Sequence, residues 1–157
     1  AWAENWSFLP LSPPDIAFLA KNLRPLVSPG HAAIAELDGK AVAMAVTLPN
    51  VNEAIADLGG RLLPLGWAKL LWRLKVRGTE SARLPLMGVR RRYQNGPLGA
   101  ALAFGVIDSV RRYHAARGTK WGELSWVLED NAPVRRIIEM LGATPYKTYR
   151  MYEKGLT

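Results

Sequence analysis

Apolar and polar residues alternate along this chain in two periods, one helical and one extended. Ser12, Pro13, Pro14 and Asp15 have the composition of a helix start: a side-chain cap, prolines where no N–H is needed, and an early carboxylate at the positive end of the dipole. Ile16, Phe18, Leu19 and Leu23 then supply one apolar stripe, and Pro25 ends it. Residues 31–37 and 40–48 are short, apolar and β-permissive. Asp38-Gly39 between them is a two-residue turn that tolerates positive φ, so the pair predicts a β-hairpin.

Residues 50–58 read as a short helix broken by Gly59-Gly60, and 65–77 as a second. In the second, Trp67, Leu70, Leu71 and Leu74 share a face while Lys69, Arg73 and Arg77 share another. Its position suits packing on a sheet first, and otherwise covering a hydrophobic substrate or lying on an acidic membrane. Residues 83–89 predict a strand. Residues 98–117 predict a long helix with Leu102, Val106, Val110 and Tyr113 on one side, ended by Gly118 after Arg111, Arg112 and Arg117. A strand over 121–128, a helix over 132–141 stopped by Gly142, and a final strand over 143–153 complete a β-α-β-α-β order from residue 83 onward. Such alternation requires partly parallel pairing with helices over the sheet. The expected class is α+β with α/β-type layers, a mixed sheet of about five to six strands flanked by helices. No repeat, low-complexity tract or linker interrupts residues 1–157, which predicts a single domain; residues 1–5 read as the tail of a helix, so upstream sequence carrying a first strand is expected.

Composition narrows the partners. The 157 residues are 49% hydrophobic and 22% charged, which suits a globular fold. With no cysteine, disulfides and Cys-based zinc sites are excluded, and a cytoplasmic location is expected. No apolar run reaches the length of a membrane span. A net charge of +8 calls for an anionic partner: a nucleotide cofactor, nucleic acid or an acidic lipid surface. The basic residues are dispersed and the aromatics lie in apolar runs, which argues against nucleic acid. His31 and His114 are far apart in sequence, no Ser/His/Asp set is recognisable, and no metal site is expected.

The chemistry concentrates in residues 87–102. Met87-Gly88-Val89 closes a strand, Arg90-Arg91-Arg92-Tyr93-Gln94-Asn95-Gly96 turns, and Pro97-Leu98-Gly99-Ala100 opens a helix. The first turn of a helix offers free N–H groups and the positive end of the macrodipole, and small residues let a diphosphate approach the backbone. The donors expected here are the amides of Gly96, Leu98, Gly99 and Ala100, with Pro97 shaping the first turn. Arg90, Arg91 and Arg92 are either phosphate ligands or a solvated basic run.

This segment resembles the cofactor motif of the GNAT N-acetyltransferase superfamily: Gln or Arg, two residues, Gly, one residue, then Gly or Ala, after a strand ending in Val. Gln94 stands at the first position and Gly99 at the last, whereas Pro97 replaces the usual middle Gly. Downstream, residues 124–128 followed by Glu129-Asp130-Asn131 resemble the family's next strand and the Asn that begins its last main helix. Ile138-Glu139-Met140-Leu141-Gly142-Ala143 is similar to the family's usual ending, with Ile138 in the place of a Tyr. Asn5-Trp6, Ser125-Trp126 and the 146–154 segment resemble the C-terminal half of longer bacterial GNAT-like proteins. The resemblance implies acetyl-CoA or another acyl-CoA as cofactor, held by Met87, Gly88, Val89, Gln94, Asn95, Gly96, Leu98, Gly99, Ala100 and Asn131. It implies transfer of the acyl group to an amine on a small molecule or peptide, by direct attack through a tetrahedral intermediate. Of the residues that could serve as base, Glu123 stands ahead with Glu80 beside it; Tyr149 or Tyr146 would replace the acid that Ile138 lacks. A catalytically silent module is the alternative, binding CoA, an upstream domain or a second copy across an exposed sheet edge.

Overall fold

A computed structural model describes residues 12–24 and 26–155; the features read at residues 1–6 lie outside them. The chain divides at Trp126–Val127 into two compact units.

In the first unit, helix α1 (Pro13–Leu23) begins as its sequence predicts. The Ser12 hydroxyl accepts from the Asp15 N–H, and the Asp15 carboxylate accepts from the Ser12 N–H, a reciprocal cap. Its apolar residues are not core: Ile16, Phe18 and Leu19 are exposed. Strands β1 (Ala32–Leu37) and β2 (Lys40–Pro49) pair antiparallel about Asp38-Gly39, whose φ values of 51° and 70° are those the turn demands. Helix α2 (Val51–Ile55) is capped by Asn50, and α3 (Gly66–Trp72) runs on into a π-helical turn, Arg73–Arg77. Strand β3 (Ser81–Val89) pairs antiparallel with β2 and parallel with β4 (Trp121–Leu124), giving a sheet in the order β1-β2-β3-β4. Between β3 and β4 come a helical turn, α4 (Arg91–Gln94), where only a loop was expected, and the long helix α5 (Pro97–Ala115).

The core lies between α5 and the sheet. On β2 every second residue, Ala43, Ala45, Thr47 and Pro49, is buried, the period of a half-covered strand. On α5 the buried row is Gly99, Ala103, Val106, Ile107, Val110 and His114, so Leu102 and Tyr113 flank the stripe rather than centre it. Small side chains such as Ala45 and Ala103, both fully buried, let helix and sheet approach closely.

The second unit holds helix α6 (Ala132–Met140), N-capped by the Asn131 side chain on the Val134 N–H. Two sequence expectations change here. The strand expected over 121–128 closes at Leu124. The strand expected over 143–153 does not form, and the described sheet has four strands where five to six were expected. Apolar alternation marks a surface able to pair but supplies no partner, and Tyr146, Tyr149, Met151 and Tyr152 are exposed.

Candidate acyl-CoA site

The site is built on the way β3 leaves its neighbours. Its parallel ladder with β4 runs Ser81–Trp121, Ala82–Gly122, Arg83–Glu123 and Leu84–Leu124, and ends there. β3 continues past that last β4 pair through Pro85, Leu86, Met87, Gly88 and Val89, with its ladder to β2 running on to Ala43–Val89. The cause is in the sequence. Pro85 has no N–H to give a ladder, and the β2–β3 register slips at the same level, from Val46–Leu86 to Leu48–Arg83. Five residues at the rise of a strand leave an opening roughly 16 Å long between the last β4 pair and Val89.

At the far end of this opening the chain turns into α5. The Arg90 N–H bonds the Val42 carbonyl at 2.8 Å, which anchors the turn to β2. Gln94, expected beside a phosphate, donates from Nε2 to the Val89 carbonyl at 2.7 Å and ties the turn to the strand end. Of the amides expected at the head of α5, Gly99 and Ala100 both donate to the Gly96 carbonyl, at 3.0 and 3.3 Å. Gly96 and Leu98 carry the amide hydrogens left without an acceptor among the described residues, and Pro97 has none. Both residues are exposed, and a Cβ built on Gly96 meets nothing within 4 Å.

Gly99 has a different task. It is buried, and a Cβ there would lie 1.9 Å from the Tyr93 carbonyl oxygen, so glycine is what allows α4 to sit on the first turn of α5. The basic run next to it is exposed, with the Arg92 guanidinium 4.5 Å from the centre of the Tyr93 ring. Asn95 is exposed at the end of α4.

Glu123 sits at the closed end of the opening. Its Oε2 accepts from Arg83 Nη2 and Nε at 2.7 and 3.1 Å, and its side chain is only 12% exposed. Glu80, one residue before β3, pairs with Lys120 at 3.0 Å. In the second unit Asn131 caps α6, Ile138 is half-buried on that helix, and Tyr149 is exposed.

One cluster escaped sequence reading. His31 and His114 meet edge to face with ring centres 5.0 Å apart, and Tyr113 stacks against both at 5.0 and 5.5 Å. They line a 350 Å³ cavity with Ser28, Thr119 and Arg117. Burial lowers the pKa of both rings, His114 to about 4, with repulsion from His31 and Arg117 adding to it. The signal available was that His114 falls on the apolar stripe of α5, one turn after Val110.

No family model matches the chain. Among solved structures, the aminoglycoside N-acetyltransferase AAC(6')-Iy in complex with a CoA-linked bisubstrate analogue is similar with a TM-score of 0.57 and 19% identity, over 96% of this chain and 84% of that one. The same enzyme with CoA gives 0.54 and 17%, over 90% and 88%. An aminoglycoside 6'-N-acetyltransferase from Acinetobacter haemolyticus gives 0.52 and 14%, over 97% and 86%. The chain has the GNAT acetyltransferase fold. Two longer proteins are much closer in sequence. The bacterial ceramide synthase of Caulobacter vibrioides is 49% identical over 156 residues, and protein YghO of Escherichia coli 48% over 155. The chain spans about two fifths of the length of each, 41% and 40%.

Proposed function

We propose that this chain is the acyl-CoA-binding part of an N-acyltransferase of the GNAT type, acting in the cytoplasm where acyl-CoA donors are made. The observation that carries the reading is the end of the β3–β4 ladder at Leu84–Leu124, beyond which β3 runs on to an uncapped helix start with two amides facing solvent. A pantetheine arm runs from that ladder end toward the helix start. The diphosphate then meets the Gly96 and Leu98 amides, and Arg90, Arg91 and Arg92 offset its charge. Asn131 is assigned to the same cofactor by its resemblance to the family's pantetheine-facing Asn. The thioester end falls toward Leu84 and Leu124, beside Glu123.

In the reaction the amine nitrogen attacks the thioester carbonyl carbon. The C–N bond forms, the carbonyl oxygen carries the negative charge, and its collapse breaks the C–S bond. The amine surrenders a proton and the CoA thiolate receives one. Strand amides of Met87, Gly88 or Val89 are the oxyanion donors in this reading. Glu123, held by Arg83, is the base, and Tyr149 the acid. A ceramide is the amide of a long-chain amino alcohol, so the name of the Caulobacter vibrioides relative favours a long-chain acyl donor and a long-chain amine acceptor.

Calorimetric titration tests the binding step. Acetyl-CoA and a long-chain acyl-CoA should both release heat, and replacing the arginine run with alanines should weaken each. No heat and no thermal shift with either thioester would remove the reading. The ion pair that occupies Glu123 and the Ile138 substitution favour one rival, a module that binds CoA without turnover. Thiol release from acyl-CoA in the presence of amines separates the two.

A further inference from the structure

The link between β2 and β3 leaves a row of large apolar side chains in solvent: Leu63, Leu65, Trp67, Leu71, Trp72 and Val76 are between 38% and 80% exposed. α3 and its continuation turn two faces outward and inward. Leu74 is buried, Leu70 half-buried, and Arg73 is drawn in by the Ala54 carbonyl at 2.8 Å and by the Asp57 carboxylate. Trp67 and Leu71, four apart, point away from the core. Val76, five residues beyond Leu71, stays on the same row because a π-helical turn takes more residues than an α-helical one.

Charge tells what this row faces. Residues 58–77 contain Arg61, Lys69, Arg73, Lys75 and Arg77 and no acid; Asp57, just before, is the carboxylate that pairs with two of them among the described residues. Asp57 is occupied by Lys69 and Arg73, which leaves Arg61, Lys75 and Arg77 as exposed cations beside the apolar row. The Lys75 ammonium reaches the Val27 carbonyl at 3.2 Å, a neutral group. A partner with an apolar groove satisfies the leucines but not the cations. An anionic lipid surface satisfies both, because tryptophan and leucine enter the headgroup boundary while lysine and arginine stems reach back to the phosphates. The Trp67 indole N–H already donates to the Pro64 carbonyl at 3.1 Å, so the ring can leave water without orphaning its donor. Seven residues of α3 and five of the π-helical turn are far fewer than the roughly 20 needed to cross a bilayer, so the element lies in the plane of the interface.

We propose that residues 61–77 dock this protein on an anionic phospholipid bilayer, with Trp67, Leu71, Trp72 and Val76 in the headgroup–acyl boundary and Arg61, Lys75 and Arg77 against lipid phosphates. The proposal stands apart from acyl transfer: it uses none of the residues assigned to the cofactor, and titration with acyl-CoA reports separately on that site.

Co-sedimentation of the full chain with vesicles tests it, using phosphatidylcholine alone and phosphatidylcholine mixed with phosphatidylglycerol. The mixed vesicles should carry the protein down, less at high salt, and the indole emission should shift to the blue. The pair Trp67→Ser and Trp72→Ser should lower vesicle affinity by about ten-fold or more and abolish the shift. The pair Arg61→Glu and Lys75→Glu should lower it by about ten-fold or more at low salt while keeping the tryptophans. All four positions are exposed, and an unchanged circular-dichroism melt confirms that each variant folds. The proposal is overturned by no binding to the mixed vesicles, by equal binding to neutral ones, or by a dimer in solution that the tryptophan pair dissociates and that ignores lipid. Wild-type binding by both variants does the same.

Discussion

At Thr47 a single hydroxyl proton settles the state of a histidine 67 residues away. The hydroxyl gives its proton to the His31 carbonyl at 3.0 Å, so toward His114 Nε2, at 2.7 Å, it can only accept. Nε2 of His114 therefore carries a proton in this arrangement, burial keeps the ring neutral near pH 7, and the hydroxyl couples the entry to β1, the middle of β2 and the end of α5. Thr47→Val keeps the shape of the side chain but strands two buried groups, the His114 N–H and the His31 carbonyl. Unfolding in urea should show a loss of about 1–3 kcal/mol, the usual cost of an unmet buried donor or acceptor. Thr47→Ser, which retains the hydroxyl, should recover most of it; equal losses in the two variants would show that packing, not the hydrogen bond, matters here.

Among the elements, β3 and the turn after it decide whether a cofactor can enter. Proline in the middle of an otherwise apolar strand is the mark of a bulge or an edge, and at Pro85 the ladder to β4 ends and the register with β2 slips. Pro85→Val restores a donor where pairing stops. It should raise the melting temperature and weaken acyl-CoA binding several-fold; binding that stays at the wild-type level would show that something other than proline holds the strands apart. Gly99→Ala acts on the other end. The new methyl collides with the Tyr93 carbonyl, so α4 must move off α5, and both stability and acyl-CoA affinity should fall, the former by about 1–3 kcal/mol. Much of this was legible in the residues. Ser12 and Asp15 announce a cap, Asp38-Gly39 a hairpin, and the strand–turn–helix from Val89 to Ala100 stands where the spacing puts it. Less legible was which amide stays free: Gly99 looks like a phosphate residue in sequence, yet a carbonyl six positions earlier claims its space. The expected strand over 143–153 misled for the opposite reason, since its apolar residues describe a surface and strand pairing is a relation between two segments.

For the whole molecule the consequence of the His31–Tyr113–His114 cluster is a stability that falls with acid. Both rings are 7–8% exposed and protonate less readily in the folded chain than in the unfolded one, where histidine titrates near 6.5. Burial is the main cause for each. For His31 the Ser28 backbone works the other way, while Arg117 and Lys75 add repulsion; for His114 the repulsion comes from His31 and Arg117. A folded pKa below the unfolded one means that the unfolded chain takes up more protons as pH drops. The stability is thus complete above about 6.5, declines as pH falls toward about 4, and levels once His114 is protonated in both states. His114 should contribute about 2 kcal/mol, less than its full shift would give, because the ring borders a cavity that water can screen. Asp15, Asp57 and Asp108 are lowered by their hydrogen bonds to Ser12, to Arg73 and Lys69, and to Arg111 and Arg112. Asp15 and Asp57 are exposed and Asp108 half-buried, and all three lose their contribution only below the unfolded carboxylate value of 3.8, beneath the histidine window. Urea titrations between neutral pH and pH 4 should therefore show a decline that precedes carboxylate protonation. His114→Gln, which can still donate to Thr47 but does not titrate, should flatten most of it. A wild-type curve without slope in that window would mean that the cluster opens to water in solution, and that the buried hydroxyl–imidazole contact does not persist there.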